Sequence, residues 1–401
     1  VKLQDLENAV VSAAAIRRVR RLQPAGGPGD KVFPPTFPGD GPNAPPRHVF
    51  EKRRIGGETV TCVLIDSVQS QANRLEEALD AAIARGDAAI PRIVVDFSGT
   101  SVADVGNVST LTAPHRVFDA ILRDSRLDDT LFRQSPLGEA LVRASVRDAS
   151  ALFRHAPTAL VFGAWNSTGE GGGMGAKFAR VVVSEIIGVN AVSGARTGSR
   201  IDPLGIRAGV KIVKSDGEDW QLADDAKNVG KKAKLEKPSQ INHGNIAPTV
   251  TDGIGVTMDY ALQTWVLSFA GLRRLQFGAA SPDAANKART VLALVALLAA
   301  LEQDVAGHAL RSRCDLIPDT EAPEAQRGAF ELIAADGTRS VVTLTREVVR
   351  ALLAEAVEAT KAAGLAWEAE PVRLVPDERL VRLVEESRKL ALKGVDEGAE
   401  E

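Results

Sequence analysis

Cysteine is almost missing: Cys62 and Cys314 are the only two in 401 residues, far apart and outside any CxxC or Cys/His spacing. Neither a disulfide scaffold nor a zinc site is implied, and a reducing cytoplasm is the expected compartment. Aromatic residues are few as well, at 12 Phe, 4 Trp and 1 Tyr. A sheet that reads RNA by stacking bases needs a Phe-rich strand, and none is present. The most apolar run, Val291–Leu301, is too short to cross a bilayer. The first residues lack an apolar signal core and carry Asp5 and Glu7. Charge of one sign is lacking too, since the net charge is −3, which excludes a uniformly basic nucleic-acid binder. No carboxylate pair, metal-ligand cluster or nucleophile–base spacing stands out. The expectation is therefore a protein without a cofactor and without catalysis.

What is present is an ordinary globular composition, 44% apolar and 25% charged, long enough for two or three domains. Its charge is unevenly placed: residues 1–54 carry ten basic groups against five acidic ones. Arg17, Arg18, Arg20 and Arg21 stand among Ile16, Val19 and Leu22, and the chain then enters Gly26, Gly27, Pro28, Gly29, Asp30 and Lys31. A strand alternates its faces, so both faces would carry cations, at a cost unless an anion meets one of them. A helix would instead line Arg17, Arg20 and Arg21 on one solvated side. The glycine turn offers bare backbone beside Lys31, an arrangement suited to a phosphate chain. The plainer reading is a basic surface strand and a turn.

Spacing predicts a helix over Leu3–Ser12 and a loop over Pro34–Pro46. A hairpin follows, His48–Arg54 and Glu58–Asp66 about Ile55-Gly56-Gly57, carrying Lys52, Arg53 and Arg54. Val68–Arg85 reads as a helix and Ile93–Phe97 as a buried strand, together fitting half of an RRM-like βαββαβ unit. Pro114–Arg123 and Leu137–Arg154 read as helices of an insertion, with His115 and His155 structural. Thr158–Phe162 reads as a strand leading into the loop Gly163–Lys177, and Phe178–Val192 returns to β composition. Within that loop, GEGGGMGAK satisfies neither the Walker nor the dinucleotide pattern. Either it is a long hairpin turn, or Gly171, Gly172, Gly173, Lys177 and Arg180 approach a sugar-phosphate chain. The segment 194–248 is polar and basic, including Arg196, Arg200, Lys231, Lys232 and Lys234, followed by Asn242, His243 and Asn245 as neutral donors. Pro282–Gln303 reads as a buried helix and His308–Ile317 as a last palm strand. Phe330–Ala335 and Ser340–Leu344 form a hairpin about Asp336-Gly337, and Arg346–Ala363 and Asp377–Lys393 read as helices. The tail from Pro376 carries five basic and eight acidic groups and is a poor RNA surface.

Four blocks carry a resemblance: RRLQPAGGPGDKVFPPTF, then WNSTGEGGGMGAKFARVVVSEIIG at Trp165–Gly188, KPSQINHGNIAPT at Lys237–Thr249, and DYALQTWVLSFAGLRRLQF at Asp259–Phe277. In this order they resemble the backbone subunits of type I-G (formerly I-U) CRISPR surveillance complexes, of the RAMP superfamily. The resemblance implies an α+β fold, with an RRM-like (ferredoxin-like) palm, a helical insertion and an inserted β-hairpin thumb. The expected division is 1–98 for the first half of the palm, 99–157 for the helical insertion and 158–193 for a strand and the glycine-rich loop. A basic thumb-like insertion follows at 194–250, the second half of the palm at 251–345 and C-terminal helices at 346–401. It also implies a cytoplasmic subunit that grips the backbone of CRISPR guide RNA (crRNA) whatever its sequence, since pairing to target DNA supplies the specificity. The implied partners are copies of itself head-to-tail, a large subunit, a crRNA-end-capping subunit and a recruited helicase-nuclease. The expected RNA contacts are Arg17, Arg18, Arg20, Arg21, Gly26, Gly27, Lys31, Lys52, Arg53, Arg54, Gly171, Gly172, Gly173, Lys177, Arg180, Arg196, Arg200, Lys231, Lys232, Lys234, Asn242, His243 and Asn245. The alternative is a RAMP-type endoribonuclease processing precursor crRNA, with His48 or His243 as the acid–base group. A small-molecule enzyme on an α/β fold is disfavoured by the failed nucleotide motifs.

Overall fold

The computed structural model describes residues 1–41, 44–166, 177–214, 220–223 and 235–392. They form two compact units: Val1–Val192 with Val256–Asp377, and Ser193–Gly255 with Glu378–Glu401.

In the first unit, α1 (Leu3–Ser12) buries Leu3, Leu6, Ala9 and Val10 at helical spacing and leads into β1 (Ala15–Pro24). β2 (Phe50–Ile55) and β3 (Glu58–Asp66) are joined through Gly56 and Gly57, whose φ values of +61° and +91° lie where other residues are strained. α2 (Val68–Ala84) begins where the Ser67 hydroxyl accepts from the Ser70 amide. After β4 (Ile93–Asp96) come β5 (Asn107–Ser109), α3 (Ala120–Arg123), β6 (Ser125–Leu127), β7 (Thr130–Leu131), α4 (Pro136–Arg143), α5 (Ser150–His155) and α6 (Thr158–Phe162). Next are β8 (Ala164–Trp165), β9 (Lys177–Phe178) and β10 (Val182–Val189). The second unit contains β11 (Val192–Arg200), β12 (Ile212–Lys214), β13 (Trp220–Leu222), β14 (Leu235–Glu236) and most of β15 (Ile246–Thr257). The first unit resumes with β16 (Tyr260–Ser268), α7 (Phe269–Arg273), α8 (Pro282–Ala306), β17 (His308–Arg311), β18 (Cys314–Pro318), β19 (Arg327–Ile333), β20 (Arg339–Val342), α9 (Arg346–Ala362) and β21 (Val372–Pro376). α10 (Glu378–Leu392) groups with the second unit.

The sheet order β18-β1-β16-β10, antiparallel throughout, is the RRM-like palm: α2 lies in the chain between β1 and β10, and α8 between β16 and β18. β3 and β2 extend it beyond β10, β17 extends it beyond β18, and β19 with β20 lies beside β1. Alternation decides which side chains go inward. On β16, Ala261, Gln263, Trp265 and Leu267 are buried, while the residues between them are half-exposed. α8 is long and apolar enough to cross a membrane by length and composition alone. Yet 83% of its apolar window is buried inside the protein, so its apolarity belongs to the core.

Four expectations need correction. Ile93–Asp96 is a buried strand but not a palm strand: it pairs in parallel with β21 in a separate sheet, β5-β4-β21-β6-β7, and β10 completes that half of the palm. Thr158–Phe162 is helical. All five of its residues are fully buried, and so short an apolar run has no period to separate helix from strand. Leu137–Arg154 is two helices, α4 and α5, divided by the Ser145–Asp148 bridge. His308–Ile317 is a hairpin, turning at Arg313 with φ +56°.

In the second unit β11 pairs with β15 as a two-stranded ribbon, and β12 lies between β13 and β14. The buried Asp202 carboxylate accepts from the amides of Leu204, Ile206 and Gly244 at 3.3, 3.0 and 3.1 Å.

Candidate nucleic-acid interface

β1 turns Ile16, Arg18, Arg20 and Leu22 towards the helices and Arg17, Val19 and Arg21 the other way. Cations thus sit on both faces, and anions meet both. Beneath the sheet, Asp304 near the end of α8 accepts two bonds from Arg18, at 3.0 and 2.6 Å, and one from Arg20 at 2.5 Å. Arg18 also donates to the Gly328 carbonyl at 2.7 Å and lies 4.8 Å from the Phe330 ring. On the opposite face Arg17 donates to Glu331, its register partner on β19, at 3.0 and 2.6 Å. Arg21 lies 3.2 Å from Asp319 and stacks on Tyr260 at 3.9 Å. The anions that cationic faces require are therefore carboxylates of this chain. With side chains 8% and 11% exposed, Arg18 and Arg20 form interior ion pairs.

Burial raises the Asp304 pKa against the pull of Arg20. Close by, His308 is buried with both ring nitrogens unpartnered, and burial together with Arg20 lowers its pKa to about 4. An unfolded histidine takes its proton near pH 6.5, whereas the folded one refuses it down to about pH 4. Stability on this account is intact above pH 6.5 and declines as the pH falls towards 4, by about 3 kcal/mol in full. Urea unfolding at pH 7.5 and pH 5 checks this: His308→Phe should flatten the decline, and an unchanged pH profile would contradict it.

The glycine turn is held differently. Ala25 N donates to Asp315 O and Phe33 N to Arg313 O, both at 2.9 Å, and Val32 N donates to Val256 O at 3.0 Å. Gly27 and Gly29 adopt φ +94° and +83°, and a Cβ on Gly26 would lie 2.3 Å from Asp30 Oδ2. The exposed turn thereby brings half-buried Lys31 to the tip of the β17–β18 hairpin, where exposed Arg313 lies 4.5 Å from the Phe33 ring. Arg313 escaped the sequence because 308–317 alternates roughly as a single strand. The one signal was its polar dipeptide, Ser312-Arg313.

On β2, Arg53 is answered by Glu51 and Glu185. Exposed Lys52 and Arg54 donate to neutral oxygens, Thr61 Oγ1 at 2.7 Å and Gly57 O at 2.9 Å. Exposed Lys177 lies 5.2 Å from the Trp165 ring, and exposed Arg180 follows two residues after β9. Gly171, Gly172, Gly173, Lys231, Lys232 and Lys234 lie outside the described residues. In the second unit Arg196 is exposed and Arg200 half-buried on β11. Asn242 takes a left-handed turn at φ +58°, and His243 meets Trp220 edge-on at 6.3 Å. The Asn245 carbonyl accepts from the Asp202 amide at 2.7 Å, so part of that side chain serves the turn.

No curated protein matches the chain. The stretch holding β1, the glycine turn, the β2–β3 hairpin, α2 and β10 does match a family: over residues 16–193 the chain is similar to the family described as CRISPR-associated protein GSU0053.

Proposed function

We propose that this protein acts in CRISPR defence as a crRNA-binding backbone subunit of the type I-G kind, gripping the guide without reading its bases. The observation that carries this reading is the exposed glycine turn with Lys31, which lies within residues 16–193 that are similar to CRISPR-associated proteins, beside Arg313 of the β17–β18 hairpin outside that segment. Lys52 and Arg54 add exposed charge on the same sheet, and Lys177, Arg180, Arg196 and Arg200 are further candidates. Cations and bare amides bind ribose-phosphate irrespective of sequence, as a guide-holding subunit requires. Arg17, Arg18, Arg20 and Arg21 are assigned to the scaffold, because each has a carboxylate partner. Copies associate head-to-tail along the RNA, through two different surfaces. Catalysis is not part of this reading: His48 is buried, with Nδ1 3.0 Å from the Pro35 carbonyl oxygen.

The test is co-expression with and without a CRISPR array. The purified protein should carry RNA, seen in its 260/280 nm absorbance ratio, and form multimers only with the array. RNA-free monomer in both cases would overturn the proposal. Metal-independent cleavage of repeat RNA, lost in His48→Ala or His243→Ala, would favour the endoribonuclease instead.

A further inference from the structure

The helical insertion contains a cleft of about 350 Å³, bounded by residues 116–118, α3, the turn 132–134 and α4. Phe118, Phe132 and Leu141 wall it, Arg123, Arg133 and Arg143 stand around it, and Asn166 lines it from the protein side. Its charges are not equally engaged. Arg123 donates to Asp124 at 3.0 and 2.7 Å, and Arg143 to Glu139 at 2.8 Å. Asp119 has both carboxylate oxygens taken by amides, those of Ile121 and His115, each at 3.0 Å. Arg133 is exposed and has no carboxylate partner among the described residues. Asn166 is only 9% exposed and makes no hydrogen bond among the described residues. Its side chain lines the cleft, and a carboxamide there has both a donor and an acceptor to offer a ligand.

The frame is rigid. A Cβ on Gly138 would lie 1.9 Å from the Phe132 carbonyl oxygen, so α4 sits directly on the 132–134 turn. Ser135 joins the two, donating to Phe132 O at 2.6 Å and accepting from Gly138 N at 3.1 Å. Buried Arg116, at φ +54°, ties the opposite wall to α2 through Glu76.

We infer that this cleft binds one nucleotide, with its base against the Phe118 and Phe132 wall, Asn166 on the base's polar edge, and its phosphate at Arg133. A carboxamide presents a donor and an acceptor side by side, the pairing that a base edge answers. The Arg133 guanidinium, without a carboxylate partner among the described residues, supplies the phosphate contact. The volume lies near the lower end of small-ligand sites, enough for a nucleotide and too little for a helical peptide. The cleft shares no residue with the glycine turn, so it stands or falls apart from the RNA grip proposed above.

The test titrates the whole protein by calorimetry with the four ribonucleoside 5′-monophosphates, their nucleosides and a five-residue single-stranded RNA. At least one monophosphate should bind, about tenfold more weakly to Asn166→Ala and to Arg133→Glu. Its nucleoside should be insensitive to Arg133→Glu. Loss of both monophosphate and oligonucleotide binding in the variants assigns the site to a nucleotide within a strand, and loss of the monophosphate alone to a free nucleotide. Asn166→Ala should leave the Tm unchanged, since the proposed role of this amide is in binding, whereas a scaffolding asparagine would lower it. Binding unchanged in both variants, no binding of any probe, or displacement of the nucleotide by an acidic peptide that binds more tightly would each overturn the inference.

Discussion

Replacing Arg116 by methionine should destabilise the protein by about 3–5 kcal/mol, as breaking a buried ion pair does. Arg116 is 4% exposed and donates from Nε to both Glu76 oxygens at 2.8 Å, and from Nη1 to the Gly163 carbonyl at 3.0 Å. Glu76 is 1% exposed, and desolvation pushes its pKa up to about 7 against the pull of Arg116. A folded pKa above the usual 4.5 means this group's contribution is complete below pH 4.5 and is lost as the pH rises through 7. Without Arg116 that loss deepens, so the variant should suffer more at pH 8 than at pH 6. Replacing both partners, Arg116→Met with Glu76→Leu, should recover most of the stability, because no buried charge is left alone. Urea denaturation of the three variants checks this. A single variant within 1 kcal/mol of the parent, or a double variant no better than the single, would contradict it.

Asp304→Asn should be comparably severe, at about 3–5 kcal/mol, because one substitution leaves two interior guanidiniums without their anion. Glu331→Gln on the more exposed face should cost only about 1 kcal/mol, since Arg17 there can turn to water. The difference in Tm between the two variants measures this, and equal effects would refute the distinction. It also governs how RNA-binding variants are read. Reversing charge at Arg18 and Arg20 places carboxylates against Asp304, so loss of RNA from such a protein would report loss of the fold.

Much of the palm can be read along the chain where the signal is local. The arginines alternate as a strand does, Gly56-Gly57 closes a hairpin, and α8 announces itself by length and apolarity. Features set by distant partners cannot be read that way. Ile93–Asp96 has the composition of a palm strand, and only its pairing with Val372–Pro376 removes it from the palm. The same separation hides the character of the arginine strand, whose cations are plain in the sequence. Asp304 stands 286 residues from Arg18 and Glu331 stands 314 from Arg17, so no local pattern says whether those charges are free or paired. Lys31, Lys52 and Arg54 were visible as charges, whereas Arg313 depended on a turn that alternation concealed.

The claim that Lys31 at the glycine turn and Arg313 at the hairpin tip grip RNA, rather than the arginines of β1, is most directly tested by salt dependence. Binding of two unrelated single-stranded RNAs would be measured across 50–200 mM salt, for the parent and for Lys31→Ala with Arg313→Ala. The double variant should stay folded, bind both RNAs equally weakly, and show a log–log salt slope shallower by about 1.4, two phosphate contacts on a single strand. An unchanged slope, or a preference between the two RNAs in the parent, would contradict the account.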